Sequence, residues 1–110
     1  MDARLPAHLE VSGLLRRVQA AGGFATVLQK GERDSGTILI VLMQKGENSR
    51  IFERMPQLDG SRTWTCAKTE DIDNKAEISE YLGRRMNQDR DLWIVELDIA
   101  DGERFITEKS

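Results

Sequence analysis

The stretch Thr37–Met43, TILIVLM, constrains this chain more than any other. An unbroken apolar run of this length, rich in β-branched residues, predicts a central strand covered on both faces. It is far short of the ~18 residues needed to cross a membrane as a helix, and no other run comes closer. A two-sided strand demands layers above and below it. The whole chain has 110 residues to supply them, which is one domain, residues 1–110.

Helical spacing predicts two covering elements. From Pro6 to Ala21, the residues Val11, Leu14, Leu15, Val18 and Ala21 form one apolar stripe. Pro6 suits the first turn, where its missing N–H costs nothing, and Gly22-Gly23 end the helix. A second helix is predicted from Lys75 to Asn87, with Asn74 and Glu77 as a capping box and Ile78, Tyr81, Leu82 and Met86 facing inward. Strands are predicted at Phe24–Gln29, Thr37–Met43, Ser49–Met55, Arg62–Lys68 and Leu92–Ile99, and the tail after Asp101 reads as a loose helical turn. The order is α-β-β-β-β-α-β. This is an α+β domain: a mainly antiparallel meander sheet packed by two helices, its last strand returning after a crossover helix.

The connection KGERDSGTI, residues 30–38, resembles a phosphate-binding loop in its glycine spacing. Two chemical requirements fail. No lysine follows Gly36, and the next segment is a strand, which offers no free helical N–H groups to a phosphate. The loop is therefore expected to be a hairpin connection between the first two strands.

If Asp59-Gly60 forms a two-residue turn closed by Leu58 and Ser61, the flanking strands come into register. Met55 then faces Trp64, Glu53 faces Cys66 and Ile51 faces Lys68. Ile51, Glu53, Met55, Trp64 and Cys66 share the core side, while Arg50, Phe52 and Arg54 share an outward face with Thr63 and Thr65. A one-residue slip would exchange these faces. Glu53 is the odd member of the core side, since a buried carboxylate requires a partner or a raised pKa. It is expected to reach solvent at the sheet margin or to pair with Lys68; a site acid or metal ligand is the alternative.

The α-β-β-β-α-β order is similar to the core of the restriction-endonuclease-like nucleases. That resemblance implies two carboxylates holding a divalent cation and a lysine positioning the attacking water. Asp34 precedes the second strand and Glu53 lies on the third, but Met55 stands where the lysine belongs, and an extra strand separates the meander from the second helix.

Other chemistry-bearing residues have plain readings. His8 is the only histidine, with no local metal partner, and is expected on the surface. Cys66 is the only cysteine, which excludes an internal disulfide, and reads as a small buried hydrophobe. Trp64 and Trp93 read as core anchors. Glu96 and Asp98 fall on one side of the last strand with Leu92 and Ile94, opposite Trp93, Val95, Leu97 and Ile99; with Asp101 they make only a nonspecific cation signal. No metal and no cofactor are expected.

Charge narrows the partners. The net charge is −3. Residues 1–68 carry ten Lys/Arg and seven Asp/Glu; residues 69–110 carry six and twelve. This polarity reads as two sides of one surface. The pairs Arg16-Arg17 and Arg84-Arg85 lack the overall basic excess of nucleic-acid domains, which argues against nucleic acid. A single cysteine and the absence of an apolar leader point to the cytoplasm, with no membrane association expected.

RLPAHLEVSGLLRRVQAAGGFATVL, GERDSGTILIVL, FERMPQLDG and LWIVELDIADGERFI resemble a small alphaproteobacterial family known as domain of unknown function 1491. The resemblance covers most of the chain. It implies a free-standing bacterial domain and carries no catalytic residues with it.

The expected function is thus a non-catalytic binding domain for a protein or other macromolecule, using Arg50, Phe52 and Arg54 if their face is uncovered. Self-association through an open sheet edge is a second expectation. The alternative is a degenerate metal-dependent nuclease using Asp34 and Glu53, or a nucleic-acid binder without chemistry.

Overall fold

The computed structural model describes residues 5–56, 58–60 and 62–107. The elements are α1 (Ala7–Ala20), β1 (Phe24–Gln29), β2 (Ile38–Gln44), β3 (Glu47–Pro56), β4 (Arg62–Thr69), α2 (Ala76–Gln88), β5 (Trp93–Asp98) and a single turn of helix, α3 (Arg104–Thr107). The α+β class and the predicted order hold. The end of α1 follows from its glycines. Gly22 takes a φ of +90°, and the N–H groups of Gly22 and Gly23 return to the carbonyls of Gln19 and Val18. These two hydrogen bonds satisfy two of the carbonyls a helix leaves free at its C-terminus.

The sheet order is β1-β5-β2-β3-β4. β2, β3 and β4 form the expected antiparallel meander. β5 lies parallel to β2 and antiparallel to β1, so it inserts between the first two strands. The expected β1–β2 hairpin is therefore not formed. The physical reason is burial: Ile94, Val95 and Leu97 are all enclosed, which requires a central place, whereas β1 tolerates an edge.

Both faces of the sheet are covered. Val11, Leu14 and Val18 of α1 and Ile106 of α3 pack on one side against Ile40, Leu42, Phe52, Val95 and Leu97. Ile78 and Leu82 of α2 pack on the other against Leu39, Val41, Ile51 and Ile94. Alternation along β2 thus feeds two separate cores, and each enclosed Leu, Ile or Val contributes roughly 1.5–3 kcal/mol. The capping box expected at α2 is absent. Lys75 stands at the N-cap position without a side-chain bond, and Glu77 instead pairs with Lys68 at 3.6 Å.

The β3–β4 register differs from expectation by one residue. Ile51 does face Lys68, but Phe52 faces Cys66, Glu53 faces Thr65 and Arg54 faces Trp64. The shift between Ile51 and Phe52 skips Ala67, the extra residue of a β-bulge. The last pair is Pro56–Arg62, one residue off the register that a two-residue Asp59-Gly60 turn requires. Ser61, half of the expected closing pair, lies outside the described residues. Trp64 and Cys66 consequently leave the Glu53 side and join that of Phe52.

Candidate functional site

Glu53 projects from β3 toward α2, into the seam between the sheet and that helix. Its Oε2 accepts hydrogen bonds from Tyr81 Oη at 2.9 Å and Arg85 Nη1 at 2.7 Å, and Arg85 also donates to Tyr81 Oη at 2.8 Å. Tyr81 and Arg85 are one helical turn apart, so a single helix face delivers both. Burial pushes the Glu53 carboxyl up, but the Arg85 and Tyr81 hydrogen bonds and the Arg85 charge outweigh it and hold it below the usual carboxylate range. Burial and the Glu53 hydrogen bond push the Tyr81 phenol up, which keeps it protonated and donating. Lys68 serves Glu77 rather than Glu53. The carboxylate flagged by its sequence position thus pairs within the chain through Oε2 and holds α2 to β3.

Asp34 is not brought to Glu53. Its carbonyl accepts from Ala7 N–H at 2.9 Å, and Arg33's carbonyl accepts from His8 N–H at 2.9 Å, so the loop caps α1 on the opposite side of the sheet. The Asp34 carboxylate lies 4.0 Å from His8 Nδ1 and 3.8 Å from Arg33. Among the described residues no group of three or more His, Cys, Asp or Glu side chains is arranged to hold a metal ion. His8 is half-buried and its Nδ1 lies 3.0 Å from the Arg33 carbonyl oxygen. Cys66 is exposed, not buried as expected; it lies on β4, which is an edge strand of the sheet. Asp98 accepts the Lys45 and Gly46 N–H groups at 2.7 and 3.0 Å, which ties β5 to the β2–β3 turn.

The face expected to be open at Arg50, Phe52 and Arg54 is covered. Phe52 is buried beneath α1 and α3. Arg54 stacks on Trp64 at 4.7 Å from the ring centroid and pairs with Glu10 of α1 at 2.7 Å. Arg50 pairs with Glu103 at the start of α3 and lies 5.2 Å over the Phe52 ring. These arginines clamp two helices onto the sheet: Arg54 is mostly enclosed, while Arg50 stays at the margin, partly open to water. The cause is the covering of both faces by helices; the slip in register only brings Trp64 beside Arg54.

The open surface lies at the other end of the sheet. Among the described residues β1 has only β5 as a neighbour, and its sequence FATVLQ carries no charge. Phe24, Val27 and Leu28 are 75, 36 and 38% exposed. Leu28 is the extra residue where the β1–β5 register shifts. The opposite edge, β4, carries Arg62 and Lys68 and the Ala67 bulge, devices that discourage further pairing. Beside β1 runs a groove of about 330 Å³ between β1 and α1. Its wall on α1 is the stripe His8, Val11, Ser12 and Leu15, its floor is Trp93, and Val27, Lys30 and Arg33 line the rest.

The glycine loop holds this corner together. It crosses the start of β5: Glu32 N–H donates to the Asp91 carbonyl at 2.9 Å, Trp93 N–H donates to Thr37 at 2.8 Å, and Trp93 Nε1 donates to Glu32 at 2.6 Å. A Cβ at Gly31 or Gly36 would lie 2.3 or 2.6 Å from the Asp91 carbonyl oxygen. The two glycines therefore exist for close passage over a strand, not for a phosphate. No hint of this edge is visible in the order of elements; the uncharged FATVLQ and the paired glycines were its only local signals.

A family model described as "Protein of unknown function (DUF1491)" matches residues 5–107. No curated protein matches the chain. The fold is similar to a crystal structure of a DUF1491 family protein from Caulobacter crescentus, with 30% identity, TM-score 0.80 and coverage of 96% of this chain and 97% of that one. It is also similar to the solution structure of a protein from A. tumefaciens, with 29% identity, TM-score 0.75 and coverage of 94% and 93%.

Proposed function

We propose that this chain, which belongs to the DUF1491 family, is a protein-binding domain that accepts an extended segment of a partner on the open edge of β1. One observation carries the reading: an edge strand that is uncharged, apolar and exposed at Phe24, Val27 and Leu28. Such an edge presents a row of unpaired N–H and C=O groups, and natural sheets usually block it with charge, proline or a covering element. Adding a strand there satisfies the backbone groups and covers the apolar side chains together. The contrast with β4, which carries Arg62 and Lys68, supports the choice of edge. A second copy of the chain would compete for the same backbone groups, and sedimentation distinguishes self-pairing from hetero-pairing.

The test uses a short capped peptide alternating valine and threonine as the probe, followed by amide chemical shifts. The expected result is perturbation concentrated at Phe24–Gln29, abolished in a Phe24→Lys/Leu28→Lys double variant whose spectrum is otherwise native. Shifts centred on β4, or none at β1 at any peptide concentration, would refute strand acceptance.

A further inference from the structure

We infer that the strand accepted by β1 carries acidic side chains, and that the groove between β1 and α1 reads them. The inference rests on the strand-accepting reading above and names its partner class. Successive side chains of a strand point to opposite faces of a sheet. A segment laid along β1 therefore sends every second side chain to the side of Val27, which is the side where α1 stands and the groove opens. Val11, Leu15 and the Trp93 floor offer that segment an apolar seat. Trp93 is locked there by its Nε1 bond to the Glu32 carbonyl, so the seat is preformed.

The rim of the groove is cationic. Lys30 is exposed and has no ion-pair partner among the described residues. Arg33 is exposed, and among the described residues its guanidinium has an ion pair only with Asp34, at 3.8 Å. The nearby Glu32 carboxylate is turned away from the rim into its own loop, where it accepts the Asp34 and Ser35 N–H groups and the Ser35 hydroxyl. Two cations at one end of an uncharged strand select by charge, where the strand itself selects only by backbone geometry. The occupant that fits is an extended segment with an apolar residue over Trp93 and an acidic one two positions along, toward Lys30 and Arg33. A second copy of this chain fits less well, because its own FATVLQ brings no acid to that rim.

Three capped peptides test this: alternating valine and threonine alone, the same with an aspartate at each end, and the same with a lysine at each end. Aspartates at both ends serve either strand direction, and caps remove the terminal charges. The aspartate peptide is expected to bind about three- to tenfold tighter than the neutral one at low salt, and the lysine peptide weakest. Added salt narrows the gap. A Lys30→Glu/Arg33→Glu variant reverses the order while leaving the β1 shifts in place. Equal affinities with β1 shifts intact would overturn the acidic partner and leave strand acceptance standing. No β1 shift with any peptide would overturn both. A short single-stranded oligonucleotide that moves the Lys30 and Arg33 amides while leaving β1 untouched would overturn the inference in favour of a nucleic acid.

Discussion

Glu53 shows how far a single residue can be read. Its place on the Ile51 side of β3 was legible from alternation, and so was its need for a partner. The partner was not, because Arg85 and Tyr81 approach from a helix more than 25 positions away, and only packing delivers them. Replacing Glu53 by Gln leaves Arg85 half-buried without its counter-charge and is expected to cost about 1–2 kcal/mol. The pH dependence has a definite sign. The folded carboxyl titrates below its unfolded value of about 4.3, so its contribution is present above that pH and is lost as pH falls through the lower folded value. The melting-temperature gap between the native chain and Glu53→Gln should be widest near neutrality and close in acid. A gap that stays constant down the acid limb would refute the role given to this pair. Arg54 teaches the converse: alternation put it outward, yet Trp64 and Glu10 engage it, and its Nε is buried without a hydrogen-bond partner among the described residues.

At the scale of elements, the same chemical change should have opposite signs in two places. Gly36 lies in the loop that crosses β5, where an added Cβ would meet the Asp91 carbonyl oxygen at 2.6 Å. Gly36→Ala should therefore destabilise by about 1–3 kcal/mol, since neither backbone can withdraw without breaking the Trp93–Thr37 bond. Gly83 lies inside α2 with nothing within 4 Å of its would-be Cβ. Gly83→Ala should stabilise by about 0.5–1 kcal/mol, the helix-propensity difference. Denaturant midpoints of the two variants on either side of the native value check both. The loop also explains why a hairpin was expected. Its turn chemistry is compatible with one, and nothing within residues 30–37 announces that a strand from beyond position 90 will pass beneath.

At the scale of the molecule, β5 is the keystone. It joins β1 to the meander and contributes to both cores through Ile94 on one face and Val95 and Leu97 on the other. Opening β5 is therefore equivalent to global unfolding, whereas β1 can fray alone. Native-state hydrogen exchange should find the slowest amides in β2 and β5 and markedly faster exchange along β1. Protection of β1 equal to that of β5 in the isolated chain would mean that its edge is already covered, and the proposed binding surface would fall with it.

Local chemistry alone determined the inventory: two helices, five strands, their approximate limits and the apolar stripe of each, because these depend on spacing between near neighbours. It also placed β2 at the centre, since an apolar run without alternation is stable only when covered twice. Tertiary structure decided which strands are neighbours, which edge is left open and which arginines reach water. Those outcomes depend on where β5 inserts and on a one-residue bulge at Ala67. Both are settled by the summed burial of distant segments, a quantity no short window of residues contains.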